Sequence, residues 1–311
     1  MSSPARFDNN KVTIIGCGRV GMSVAFSLLH DNLVNELVLL GRHKQQIVGE
    51  QLDLEHGLSF LNPTKILATD SYLDIRHSDV VVITAGSAQK PGDTRLDLAQ
   101  NNLAVIEQII PMVVRHAPGA VVIIVSNPVD VLTYRAYQLA GWPKGRIFGS
   151  GTTLDTARFR FHLSQFLQVS PNSIHAYILG EHGDSSFPVL SSATVGGQTL
   201  NEFPEFSDEK AQTAFQKAKN AAYKIIESKG STYYGIAAVI HHLVKTVLTN
   251  AKEVLPVSIP LHQYLDHSGV SLSVPCVVDR SGVGEILKPK LNWEEKQALA
   301  RSVEKIKQYC Q

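Results

Sequence analysis

Short runs of uninterrupted apolar residues recur through the first half of the chain, at positions 12–15, 37–40, 80–83 and 121–125. Runs of this length fit strands buried on both faces, the situation in a parallel sheet covered by helices on each side. The segments between them are long enough for helices, and Val20, Val24 and Leu28 recur at helical spacing directly after the first run. Residues 1–150 are therefore predicted to form a doubly wound α/β domain.

From Gly151 the pattern changes. A helix is expected over 207–227, with acidic residues in its first turn, and a closing helix that Asn292 and Glu295 can cap. Between them, 270–283 is rich in β-branched residues and turn formers. Residues 151–311 read as a mixed α+β substrate, catalytic and oligomerisation domain, with the active site in the cleft between the halves.

The first strand ends in Gly16-Cys-Gly-Arg-Val-Gly21, a Gly-x-Gly-x-x-Gly turn at the head of a helix. The first glycine permits the turn, the second lets a pyrophosphate approach the backbone, and the third lets strand and helix pack closely. Gly16, Gly18, Val20 and Gly21 are assigned to the cofactor on this basis, and residues 1–150 to a dinucleotide-binding domain of the Rossmann type. An acid is then expected at the end of the second strand, to bind both adenosine ribose hydroxyls of NAD. That strand instead runs into Gly41-Arg42-His43. A 2′-phosphate has room beside Gly41 and can pair with Arg42, helped by protonated His43, so NADP(H) use is expected; NAD held through the other contacts, with an incidental Arg in a solvated loop, is the alternative.

Charge and cysteines narrow the partners. Lys and Arg total 29 against 28 Asp and Glu, a formal charge of +1, so no field draws the chain to nucleic acid or an acidic membrane. Cys17, Cys276 and Cys310 make no Cys-x-x-Cys pair, which favours a reducing compartment and argues against structural zinc. The polar opening segment and the lack of a run long enough to span a bilayer lead to the expectation of a cytoplasmic protein with small-molecule partners or copies of itself. No ligand-spaced cluster calls for a metal.

The second half supplies candidate chemistry. In Gly151-Thr-Thr-Leu-Asp-Thr-Ala-Arg158, Asp155 and Arg158 are three apart and share a helix face. In Ile178-Leu-Gly-Glu-His-Gly-Asp184, glycines flank the Glu181-His182 pair. Arg158 can clamp a substrate carboxylate while Asp155 orients His182 and stabilises its charged form as an acid/base group. Gln89-Lys-Pro-Gly-Asp-Thr-Arg95 reads as a loop at the carboxyl edge of the sheet that could close over substrate and bring Arg95 to a reacting carbonyl. Asn127, in Ser126-Asn-Pro128 at the same edge, is placed to bind cofactor or substrate.

These motifs, with Thr84-Ala-Gly86, Ser126-Asn-Pro-Val-Asp130 and Ser231-Thr-Tyr-Tyr-Gly235, resemble in order and spacing the L-lactate/malate dehydrogenase family, and most of all its bacterial allosteric lactate dehydrogenases. The resemblance implies His182 as proton donor/acceptor, Asp155 as its partner, Arg158 as carboxylate clamp and Arg95 as the group that polarises the carbonyl. It adds Gly86 and Ile236 to the NAD(P)H site and Thr232 to the substrate pocket. An Arg at the position of Gln89 would pair with the second carboxylate of oxaloacetate; a neutral Gln leaves that charge unpaired and suits pyruvate/L-lactate. Malate or broader L-2-hydroxy-acid dehydrogenation is the alternative, kept by nearby Lys90. A catalytically dead NADPH-binding regulator is a remote one, disfavoured because Arg95, Asp155, Arg158 and His182 are all present.

Arg160 follows Arg158 by two, about 200° around a helix, and so faces another surface. The resemblance implies that Arg160 and His175 gather across a two-fold interface to bind fructose 1,6-bisphosphate, in a homotetramer activated by it.

Overall fold

The computed structural model describes residues 10–87 and 95–310, and the side chains of 10–87 and 96–309. Its first half alternates strands and helices: β1 (Lys11–Ile15), α1 (Arg19–Leu28), β2 (Glu36–Leu40), α2 (Lys44–Gly57), β3 (Lys65–Thr69), β4 (Val80–Ile83), α3 (Arg95–His116), β5 (Val121–Ile124), α4 (Val129–Ala140) and β6 (Ile147–Gly149). Then come α5 (Thr153–Leu167), β7 (Ile174–Leu179), β8 (Phe187–Val195), β9 (Gln198–Thr199), α6 (Asp208–Lys229) and α7 (Tyr234–Leu248). The chain closes with β10 (Glu253–Pro260), β11 (Ser271–Asp279), β12 (Gly282–Ile286) and α8 (Trp293–Cys310).

The four apolar runs are strands, and β4 and β5 are buried at every residue. Six parallel strands stand in the order β3-β2-β1-β4-β5-β6, reversing direction of growth at β1 and β4. Two core clusters, one on each side of this sheet, account for the alternate side chains of β1: Val12 and Ile14 belong to one, Ile15 to the other. Two strands go beyond the expected four. β3 begins at an exposed Lys65 and alternates in burial, while β6 is three residues long, so neither presents a continuous apolar run.

The second half does not build a wholly separate sheet. Ser258 of β10 pairs antiparallel with Gly149 of β6, and β10-β11-β12 extend the parallel sheet to nine strands among the described residues. Only β7-β8-β9 form a sheet of their own, and α5 and α6 pack with it around Phe159, Ile178 and Phe215. Helix ends follow the sequence. Ser207 caps α6 by accepting from the Lys210 amide, and Asn292 and Glu295 bond reciprocally at the head of α8, at 2.8 and 2.9 Å. Among the described residues no helix is long and apolar enough to cross a membrane.

Candidate active site

The phosphate turn begins where β1 runs out. Gly16 has φ +106°, a conformation side chains avoid, and any Cβ there would strike the backbone of Ala85. The Thr84 hydroxyl donates to the Gly16 carbonyl at 2.6 Å, and the Ser126 hydroxyl to the Ala85 carbonyl at 2.6 Å, so the ends of β1, β4 and β5 meet at one edge. A Cβ on Gly21 would collide with the Gly16 carbonyl, whereas one on Gly18 meets nothing within 4 Å. Gly18 is also the N-cap of α1, which has no side-chain cap and no acid in its first turn. Open space above free helix N–H groups fits the diphosphate of a dinucleotide. Val20, in the same turn, is half-buried against the core. Burial, then the nearby Glu50, pushes the Cys17 thiol up to about 12, which keeps it protonated.

At the next edge position, Asn102 of α3 is buried and bonds three ways. Its Oδ1 accepts the Ser87 amide at 2.7 Å, and its Nδ2 donates to the carbonyls of Ser87 and Asn127 at 3.2 and 2.7 Å. A Cβ on Gly86 would press on this amide at 3.1 Å. Asn102 thus holds Gly86 and Asn127 in one arrangement, a role sequence reading missed. Its one signal was a polar, poor helix former inside a helix. Gly41, Arg42 and His43 link β2 to α2, and Arg42 and His43 are exposed. Lys44 opens α2, which has no acid in its first turn.

The three predicted chemical residues converge. On α5, Arg158 Nη1 donates to Asp155 Oδ1 at 3.2 Å, and Asp155 Oδ2 meets His182 Nδ1 at 2.6 Å. Their side chains are 15%, 14% and 29% exposed, so the cluster is largely withdrawn from water yet opens at the histidine. Burial alone would lower the His182 pKa, but the charge and hydrogen bond of Asp155, then the charge of Asp130, outweigh it and raise it to about 9. Burial pushes Asp155 upward, but His182 and Arg158 hold its carboxyl below the ordinary value. This balance favours the charged form of the ring, whose Nδ1 is held by Asp155.

The histidine loop is anchored on both sides. Gly180 has φ +91° and exchanges two main-chain hydrogen bonds of 3.0 Å with Ser273 of β11. A Cβ there would run into the Ser302 hydroxyl of α8, which also accepts the Glu181 amide at 3.2 Å. The buried Glu181 carboxylate accepts from the Ser185 amide at 3.1 Å and from its hydroxyl. Asp130, also buried, accepts the His182 amide at 2.7 Å. Sequence reading named neither Ser302 nor the separate part of Asp130.

Leu154, beside Asp155, lies against Gly235 in the first turn of α7, the helix that carries Ile236 and that Thr232 precedes by two residues. Arg19 joins the phosphate turn to this segment, donating to the Ser231 hydroxyl at 3.2 Å. Arg160 turns to β7 instead, donating from Nε to the Ala176 carbonyl at 2.9 Å with its guanidinium 5.1 Å from the Tyr177 ring centroid. His175, next to Ala176, is exposed. Gln89 lies outside the described residues, and Arg95 is described only as the first main-chain position of α3. No metal-holding group of His, Cys, Asp or Glu occurs among the described residues.

Residues 10–149 match the NAD binding domain of the lactate/malate dehydrogenases, and residues 152–311 match the alpha/beta C-terminal domain of the same family. The chain is 41% identical over 305 residues to L-lactate dehydrogenase 1 of Clostridium acetobutylicum, covering 96% of this chain and 97% of that one. It is 41% identical over 298 residues to the L-lactate dehydrogenase of Halalkalibacterium halodurans, covering 96% of each. A solved minor L-lactate dehydrogenase from Enterococcus mundtii superposes with a TM-score of 0.93 at 38% identity, over 97% of this chain and 98% of that chain. MGS-M5, a lactate dehydrogenase from a deep-sea metagenome library of the Medee basin, gives 0.92 at 38% identity over the same shares. With both domains matched in order along nearly its whole length, this chain belongs to the lactate/malate dehydrogenase family.

Proposed function

We propose that the chain is an L-lactate dehydrogenase that interconverts pyruvate and L-lactate, with His182 as proton donor/acceptor. The observation that carries this reading is the Arg158–Asp155–His182 line, a cation for a carboxylate beside an oriented imidazolium. The bound nicotinamide ring supplies or accepts the hydride. Arg158 gives Nη1 to Asp155 and keeps its other N–H groups for the pyruvate carboxylate. His182, held through Nδ1, presents Nε2 to the carbonyl oxygen and delivers the proton that completes the alcohol. Asp155 holds the ring in one orientation and stabilises its charged form. Arg95 polarises the carbonyl, Gln89 leaves room for a methyl group rather than a second carboxylate, and Asn127 and Thr232 line the pocket. Gly16, Gly18, Val20, Gly21, Gly86 and Ile236 bind the dinucleotide.

NADPH is the preferred coenzyme in this reading. Arg42, His43 and Lys44 follow one another at the end of β2 where a 2′-phosphate would lie, and Lys44 is 3.6 Å from Asp70, leaving Arg42 and His43 to the phosphate. The assembly is a cytoplasmic homotetramer activated by fructose 1,6-bisphosphate. Arg160 and His175 support this, because Arg160 reaches β7 beside His175 and their two-fold repetition sets two arginines and two histidines together for two phosphates.

The test is kcat/KM for pyruvate reduction by the purified protein, with NADH and NADPH in parallel and oxaloacetate as competitor substrate. Preference for pyruvate with NADPH is expected. Activity with NADH alone removes the coenzyme assignment, and a preference for oxaloacetate removes the substrate. His182→Ala with full pyruvate reduction removes the acid/base assignment.

A further inference from the structure

Asp130 is a carboxylate sealed inside the molecule that the acid/base reading leaves without a task. It lies in the first turn of α4 and is 2% exposed. Its Oδ2 accepts the main-chain N–H of His182 at 2.7 Å, and its Oδ1 accepts the hydroxyl of Ser258 at 2.6 Å. One side chain thus joins α4 of the first half, β10 of the second, and the loop that carries the histidine.

Both donors are neutral groups, so the bonds by themselves do not call for a charge. An Asn could make the same two contacts, its carbonyl accepting the His182 amide and its amide donating to the Ser258 oxygen, which can accept as well as donate. Burying a carboxylate instead is costly unless its charge interacts with something. Burial, with a smaller push from the like charge of Glu181, moves the Asp130 carboxyl up to about 6, against the lowering pull of the Ser258 hydroxyl, the His182 amide and the charge of the His182 ring. The ring is also faced from α5 by Asp155 and, as a like charge, by Arg158. Glu181, the other buried acid of the loop, has its carboxylate turned to Ser185.

We propose that Asp130 is a positioning residue for His182: it fixes the main chain of the histidine loop through the His182 amide and places a second negative charge near the ring that favours the imidazolium. This rests on the assignment of His182 as proton donor. Asp155 acts on the ring directly through Nδ1, and Asp130 acts from behind the backbone, across the junction of the two halves. Above the range in which it ionises, the Asp130 charge holds the proton on His182. When Asp130 is protonated, that support is withdrawn.

The experiment follows the ring Cε1–H resonance of His182 by NMR against pH, assigned by its loss in His182→Gln, in the intact protein and in Asp130→Asn. The amide keeps both contacts and removes the charge, so the midpoint is expected to fall by about half a unit or more, roughly a threefold loss in proton affinity. The basic limb of kcat/KM for pyruvate reduction moves down with it, while the rate on the acid side stays within about threefold. A smaller fall in the midpoint overturns the proposal. Ser258→Ala keeps the charge and is expected to leave the midpoint unchanged or higher; a fall matching that of Asp130→Asn marks lost packing and also overturns it. If Asp130→Asn does not fold, the labelled carboxyl carbon of Asp130 in the intact chain decides. An ionised shift at about pH 8 is expected, and a protonated one there overturns the proposal. Failure of the donor assignment is read separately, as pyruvate reduction that survives His182→Gln, and it leaves the ring titration interpretable.

Discussion

Arg158 and Arg160 stand two residues apart on α5 and occupy opposite settings. Arg158 is tied to a carboxylate at 3.2 Å, which is itself tied to His182. Arg160 is held by neutral groups, a carbonyl at 2.9 Å and an aromatic ring. The carboxylate partner orients Arg158 but cancels part of its charge, so the attraction for a substrate anion depends on the imidazolium as well. Arg160 keeps its charge; burial pulls its guanidinium below the ordinary value, against the opposing pull of Tyr177. One helix therefore carries, on one face, an arginine fixed by a carboxylate and, on another, an arginine whose charge is available because neutral groups hold it. What differs is only what β7 and the histidine loop set against each face.

The largest effects are expected on the fixed side. His182→Gln removes the acid and should lower kcat/KM for pyruvate reduction by about 10² to 10⁴. Asp155→Asn unties both neighbours at once. It should cost about as much near neutral pH, and His182 should then titrate below about 9, because its principal charge partner is gone. If Asp155→Asn lowers kcat/KM by less than about tenfold with an unchanged pH profile, the coupling that distinguishes Arg158 from Arg160 does not operate.

The sign of the pH dependence follows from the raised His182 pKa. Reduction needs the imidazolium, so kcat/KM for pyruvate should be level at lower pH and decline as pH rises through about 9. Oxidation needs the neutral ring and should rise over the same interval. The two limbs, measured on free enzyme at constant ionic strength, should cross at the same midpoint. Limbs centred near the ordinary histidine value would mean that Asp155 does not control the ring.

The parts that were legible in the sequence are those written in local spacing. Residues 80–83 read as a strand because all four are apolar, and Asp155 with Arg158 read as one face because three residues nearly complete a turn. His182 was singled out by its glycines and by the family resemblance, and the geometry supplies their reason in the close approach of Ser302 to Gly180. The supporting polar groups were not legible. Asp130 reaches His182 across 52 residues, Ser302 reaches Ser185 across 117, and Asn102 reaches Asn127 across 25 from another element. Such contacts carry no period. The joining of β10 to β6 was hidden for the same reason, since it rests on the pairing of Ser258 with Gly149.

On the available side, Arg160→Ala should leave kcat at saturating pyruvate within about twofold, since nothing in the Arg158 line depends on it, and abolish the response to fructose 1,6-bisphosphate. The measurement is pyruvate saturation with and without millimolar effector. A response that survives in Arg160→Ala would put the effector elsewhere. A loss of basal kcat equal to that of Asp155→Asn would mean that the two faces of α5 are not independent.

Arg42 extends the contrast to a third setting, since it is exposed at the head of α2 and neither clamped nor stacked in the way the α5 arginines are. Its value to a ligand is then a single solvent-screened, charge-assisted contact, and the smallest effect belongs here. Arg42→Ala should lower kcat/KM for NADPH by about tenfold, the loss of one such bond to a phosphate, while kcat/KM for NADH changes by less than about twofold. The ratio of the two is the informative quantity, because a general weakening of adenosine binding lowers both together. An unchanged ratio would assign Arg42 to the adenosine as a whole and leave His43, which follows it at the entry to α2, as the group that distinguishes the coenzymes.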